Sequence, residues 1–166
     1  MTSAPEVQLQ VVQQSDEELR LALAALRPLP DQERFSSAAA RTLPEALVDP
    51  ARTPFAIVHA GEPVGFGVLD REGILDDLVD APQRAVLLRA FYVASDRQGR
   101  GLGTAAARAV PGLARSLHPE AELVVLTVNQ ENPAAVAAYL RAGFRDTGAR
   151  YLGDQGPQHV LVAATG

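Results

Sequence analysis

Apolar residues recur along this chain in two periods, and the change from one to the other marks the elements. Val7–Val12 alternates apolar and polar positions and predicts a half-buried strand. Ser15-x-x-Glu18 has the spacing of a capping box, and Asp16–Arg27 follows with helical apolar spacing until Pro28 and Pro30 stop it. Asp31–Val48 predicts a second helical region, broken at Pro44. Phe55–Ala60 and Pro63–Leu69 flank Gly61-Glu62, a hairpin signal. Arg71–Gln83 is acidic and irregular, a loop with one short helix. Ala85–Val93 is nearly continuous in apolar residues, as expected of a strand covered on both faces. An alanine-rich helix over Thr104–Leu117 contains Pro111, which should kink or split it, and Leu123–Val128 reads as another buried strand. Pro133 behind Asn132 is a standard helix start, and Gly143 closes the helix Ala134–Arg141. Phe144–Leu152 and His159–Ala164 pair around Gly153–Pro157. Only the middle of this order is βαβα-like, so the expected fold is α/β, a mixed sheet with helices on both faces.

Composition narrows the functional classes. At 166 residues the chain is expected to be one domain, 1–166, with a real core. It has no cysteine, which excludes disulfides and thiol catalysis. No signal peptide or apolar run near 18 residues is visible, so a cytoplasmic protein without a membrane partner is expected. A net charge of −5 argues against a nucleic-acid partner. All fifteen basic residues are arginines.

The most specific chemistry lies between the strand ending at Val93 and the helix that follows. Gln98, Gly99, Arg100, Gly101, Leu102, Gly103 and Thr104 form a glycine turn that opens a helix. Glycines permit close approach of backbone to ligand, and the first helical N–H groups have no intrahelical partner, so the turn is an anion cradle. A dinucleotide fingerprint requires the glycines directly after the strand and an acid about 20 positions on. Here Ala94–Arg97 intervenes, and the next strand leads to Asn129. A Walker A loop requires lysine, which this chain lacks. What remains is Gln98-x-x-Gly101-x-Gly103, and downstream Asn132, Ala135, Tyr139, Gly143 and Phe144 stand in the order Asn-x-x-Ala-x-x-x-Tyr-x-x-x-Gly-Phe.

The two motifs together resemble the GNAT superfamily of N-acetyltransferases, with the clear match running from about Leu87 to Gly148. The resemblance implies the GNAT acyl-CoA N-acyltransferase fold, with a central mixed, mostly antiparallel sheet. It implies acetyl transfer from acetyl-CoA to a primary amine of a small molecule or peptide, by direct attack in a ternary complex and without a metal. It makes Tyr139 the general acid for the departing thiolate. Gln98–Thr104 would bind the pyrophosphate, with Arg97 and Arg100 supplying charge; Phe91, Tyr92 and Val93 would present backbone to pantetheine, and Asn132 would help position the cofactor. Without the motif, Tyr139 would read as a core tyrosine and Asn132 as a helix cap alone.

The general base stays open. Some family members carry a glutamate on the strand before the glycine loop, and Leu87 stands at that position. Arg89, two residues on, reads as a structural group or a partner for a substrate carboxylate, since arginine stays charged. Asp70, Glu72 and His159 are water-mediated base candidates; His59 and His118 read as surface positions near turns. The acidic stretch of Asp70, Glu72, Asp76, Asp77 and Asp80 reads as a solvated loop or, more sharply, as attraction for a cationic small-molecule amine. A homodimer stays open, as does the competing function, a non-catalytic CoA-binding regulatory domain of the same fold. Tyr139 discriminates the two, because a binder has no use for its hydroxyl.

Overall fold

The computed structural model describes residues 4–33 and 38–166. Its strands are β1 (Gln8–Val11), β2 (Arg52–His59), β3 (Glu62–Asp70), β4 (Ala85–Val93), β5 (Leu123–Asn129), β6 (Arg145–Gly153) and β7 (Gly156–Ala164). They form one sheet in the order β1-β2-β3-β4-β5-β7-β6, in which only the β4–β5 pair is parallel. The helices are α1 (Glu17–Ala24), α2 (Pro30–Glu33), α3 (Ala39–Val48), α4 (Leu75–Leu78), α5 (Leu102–Leu117) and α6 (Pro133–Arg141).

Strand alternation sorts the core into two layers. On one face Phe55, Ile57, Val86 and Leu88 pack against Leu102, Ala106, Ala107, Val110 and Ala114 of α5, joined by Val136 and Tyr139 of α6. On the other, Ala56, Phe66, Val68 and Tyr92 pack against Leu23 of α1 and Ala39, Leu43 and Ala46 of α3. A third cluster closes the sheet beneath α4, from Leu75, Leu87, Val125, Val160 and Val162. The mixed sheet with helices on both faces is therefore the architecture that the apolar periods predict.

Local signals were not followed at three places. Asp16, not Ser15, holds the N-cap position of α1, and its carboxylate makes no capping bond but turns back to accept from the Gln13 N–H at 2.8 Å. The break expected at Pro44 is absent, for α3 runs through it. Its missing N–H concerns the carbonyl of Ala40, an exposed residue, so water can replace the lost bond. Of the expected helical region 31–48, residues 34–37 lie outside the described part. α5 likewise runs through Pro111 without a split. An interior proline costs about 3 kcal/mol, less than the burial of the five α5 side chains above, each apolar and packed on β1, β4 and β5.

Two features of the sheet matter for the site. First, β4 pairs with β5 only over Ala85↔Leu123, Val86↔Val124 and Leu87↔Val125, while β4 runs on to Val93 and β5 to Asn129. The two strands part there. Second, β4 carries a bulge. Phe66 faces Tyr92 and Val68 faces Arg89, so Gly67 alone opposes Ala90 and Phe91. Ala90 sits at φ +53°, a left-handed conformation that costs a non-glycine residue roughly 1–2 kcal/mol. Gly67 itself lies over Phe55, where a Cβ would stand 2.5 Å from Cζ, so only glycine admits that ring.

His118 corrects the surface reading. It ends α5 with Nε2 buried and unpartnered among the described residues, and burial, then the Arg71 charge, hold its pKa below the usual imidazole value.

Tyr92 ties the second layer to the sheet. Its buried hydroxyl accepts from the Ala39 N–H at 2.8 Å and donates to the Leu26 carbonyl at 3.0 Å, joining the start of α3 and the segment after α1 to β4. Tyr92→Phe keeps the ring and leaves both backbone groups without this partner. It should lower unfolding stability by about 1–3 kcal/mol in urea denaturation, with little change in the slope of the transition.

Candidate functional site

The parting of β4 and β5 leaves a gap on the sheet that α5 and α6 flank. A cavity of about 360 Å³ fills it. Its wall contains Phe91, Tyr92 and Val93 of β4, Gln98, Gly99, Gly101, Leu102, Gly103 and Thr104 of the glycine turn, and Asn132 and Tyr139 from the start and middle of α6. Tyr139 and the residues singled out for the cofactor are therefore brought to one cavity except Arg100, which is exposed and does not line it.

The turn has the backbone that its glycines foretell. Gly99 (φ +81°) and Gly101 (φ +78°) are left-handed, and Gly101 is the N-cap of α5. No side chain caps the helix, so the first-turn N–H groups of Leu102, Gly103 and Thr104 have no intrahelical acceptor. Gly103 is not left-handed, and a Cβ there would meet Val93 Cγ2 at 3.6 Å, an ordinary contact. Gln98 lines the cavity too, and its side chain is engaged within the fold. Its side-chain amide donates to the Val93 carbonyl and to Gln32 Oε1, both at 2.9 Å, and so pins the turn to the end of β4. Arg97 lines the cavity with its guanidinium donating to Glu62 at 2.8 Å.

Asn132 caps α6, accepting from the Ala135 N–H at 3.4 Å. At the other end Gly143 (φ +105°) lets the Phe144 N–H reach the Tyr139 carbonyl at 3.1 Å. The helix is thus held at both ends, and Tyr139 with it. The Tyr139 ring is wedged between Phe91 (centroids 5.9 Å apart) and Phe144 (5.7 Å, edge-on). Burial among these groups pushes its phenol above the ordinary value of 10.0, so the hydroxyl is neutral and protonated throughout the physiological range.

A second cavity, of about 510 Å³, opens on the other side of Tyr139. Phe91, Asn132, Ala135 and Tyr139 belong to both walls, so the cavities meet at the tyrosine. The second is lined further by Arg89 and Ala90 of β4, Thr127 and Asn129 of β5, and Tyr151, Asp154, Gln155 and Gln158 of the β6–β7 hairpin. None of the five acidic residues of the 70–80 stretch lines either cavity. Asp70 is buried in ion pairs with Arg89 (3.0 Å) and Arg52 (3.3 Å). Leu87 is packed beneath α4, so that position of β4 bears no carboxylate. His159 lies 3.2 Å from Asp146 and lines neither cavity.

The structure also adds residues that the motifs did not single out. Arg141 lines the first cavity, three and seven residues after Ala138 and Ala134 on one face of α6. Gln32 and Asp154 carry no signal in the sequence, because only the folded chain brings them there. Among the described residues no group of His, Asp or Glu could hold a metal ion, and no helix is long and apolar enough to cross a membrane.

A sequence model of the Acetyltransferase (GNAT) family matches residues 19–144, and the chain belongs to that family of acetyl-CoA-dependent N-acetyltransferases. It is 29% identical over 131 residues to the uncharacterized N-acetyltransferase YbbJ of Bacillus subtilis (strain 168), covering 79% of this chain and 82% of that one. Its fold is similar to that of AAC(6')-Ib in complex with Parmomycin and acetyl-CoA, with a TM-score of 0.75 at 21% identity, over 96% of this chain and 93% of that one. It is similar also to a spermidine N-acetyltransferase SpeG chimera from Vibrio cholerae and hSSAT, with a TM-score of 0.66 at 15% identity, over 96% and 95%.

Asn132→Ala removes the α6 cap. It should lower stability by about 1 kcal/mol, read by thermal or urea unfolding.

Proposed function

We propose that the chain transfers the acetyl group of acetyl-CoA to the amine of a small molecule by direct attack in a ternary complex, with the first cavity taking the cofactor and the second the amine. The observation that carries this reading is that the two cavities share Tyr139. A thioester and an amine in contact must meet at one point, and a polar hydroxyl group at that point is accounted for by the departing sulfur.

The residues fit the cofactor's parts. The uncapped N–H groups of Leu102–Thr104, with the positive end of the α5 dipole and the guanidiniums of Arg97 and Arg141, suit a pyrophosphate. The last residues of β4, no longer paired to β5, suit the amides of a pantetheine arm laid alongside them, as strand addition does. Ala134, Ala135 and Ala138 keep that side of α6 low enough to admit it. Acetyl-CoA supplies the activated acetyl group and a thiolate leaving group.

In the transfer the C–N bond forms, the C–S bond breaks, and the amine gives up a proton. Tyr139 supplies a proton to the sulfur. Burial also raises the pKa of a thiolate released beside it, so the sulfur takes the phenol proton as the C–S bond breaks, and Tyr139 regains a proton from the water that receives the amine's, which leaves no lasting charge between Phe91 and Phe144. No carboxylate stands at the junction of the cavities among the described residues. The proton of the amine therefore leaves through water along the polar wall of the second cavity.

Two experiments test the reading. Calorimetry should give a micromolar Kd for CoA, about −8 kcal/mol, and Gly101→Glu should abolish binding by placing a strained backbone and a negative charge at the start of α5. Binding that survives this change puts the cofactor elsewhere. With an amine that is turned over, Tyr139→Phe should leave CoA affinity near wild type and lower kcat about 100-fold or more. The wild-type kcat/KM should rise with pH as the amine loses its proton, with no descending limb from tyrosine ionisation up to pH 10, because burial holds that phenol protonated. Tight CoA binding without acetyl transfer to any amine would favour the non-catalytic binding reading.

A further inference from the structure

The acceptor cavity has one built cation, Arg89, and its setting is not that of a surface arginine. Arg89 stands immediately before the bulge, and the bulge brings Arg89, Ala90 and Phe91 in succession to one cavity wall. The strained φ of Ala90 is maintained at this point of β4 and nowhere else along it. Beneath the guanidinium lies Asp70, 2% exposed, whose Oδ2 accepts from Arg89 Nη1 at 3.0 Å and from Arg52 Nε at 3.3 Å, while Oδ1 accepts from the Glu72 N–H at 2.9 Å. A carboxylate so fully engaged is a fixed support. It orients Arg89 through one of the five guanidinium N–H groups and leaves the side chain 41% exposed. A planar fork held in place beside a polar cavity is the arrangement that recognises a carboxylate by paired hydrogen bonds.

We infer that the amine acceptor carries a carboxylate, bound by Arg89 on its Asp70 support, so that the substrate is an amino acid or a related amino carboxylate rather than a polycation. The inference rests on the second cavity being the acceptor side. The amine then lies toward Tyr139 and the carboxylate toward β4. The acidic stretch of the 70–80 loop does not oppose this, because Asp70 is committed to arginine and the other four acids line neither cavity; the acid that does line the second cavity, Asp154, stands on the β6–β7 hairpin and not on β4 beside Arg89.

The test is calorimetry on the full chain loaded with CoA, titrated with matched pairs of amines of graded length, each an amino carboxylate and its carboxamide. For at least one length the carboxylate should bind roughly 10- to 100-fold more tightly than its carboxamide, the range for a hydrogen bond to a charged group. Arg89→Gln should erase that difference while leaving the Kd for CoA and for the carboxamide in place. Arg89→Lys, which keeps the ion pair with Asp70, should restore part of it; a merely structural role for Arg89 would move both members of a pair alike. Equal binding of carboxylate and carboxamide at every length, or no carboxylate binding at all, overturns the inference. Acetyl transfer from acetyl-CoA, followed on the same pairs by thiol release, separates the two readings. Transfer without carboxylate preference sinks this inference alone, whereas carboxylate preference without any transfer sinks the proposed reaction and leaves the carboxylate site standing.

Discussion

The parallel ladder between β4 and β5 stops at Leu87 and Val125, and the site exists because it stops there. Were the two strands paired to their ends, β4 would present side chains to both faces and no backbone to a ligand. Each strand keeps a partner on its far side, β3 for β4 and β7 for β5, so the sheet tolerates the opening. Gln98 then ties the glycine turn to the end of β4 through the Val93 carbonyl, which sets where α5 begins relative to the gap. The first turn of α5 and the middle of α6 are thereby brought to the same opening from different parts of the chain.

Tyr139 and Arg89 show two ways of holding a polar group still. Tyr139 is held by shape, with aromatic rings on either side and a helix capped at both ends. An apolar wedge of this kind disfavours charge and so keeps the phenol protonated. Arg89 is held by charge, on a carboxylate removed from water and hydrogen-bonded on both oxygens. Breaking such a buried pair leaves an uncompensated charge, which is why the support holds. Tyr92, between them in sequence, packs its ring in the layer of Phe66 and Val68 with its hydroxyl engaged by backbone on both sides, so its side chain serves stability. Neighbouring residues of one strand thus serve the site and the scaffold, with the bulge at Ala90 and Phe91 interrupting the alternation between them.

Much of this was legible in the residues. Glycine is the one residue that takes φ near +80° without strain, so Gly99 and Gly101 announced their turn. Asn132-Pro133 announced a helix start and Gly143 its end, because capping is satisfied locally. Continuous apolar runs announced β4 and β5. Local rules failed where a long-range contact was worth more. Pro44 and Pro111 remained inside helices because packing against the sheet outweighs one lost hydrogen bond. The sequence by itself thus determined the elements, the glycine cradle and the family, since each depends on residues near one another along the chain. Tertiary structure alone decided that Asp70 would hold Arg89, that Gln98 would reach Val93 and Gln32, and that the β6–β7 hairpin would wall the second cavity. Those pairings depend on strand register and on where the β4–β5 ladder ends, and no local spacing in the chain encodes either.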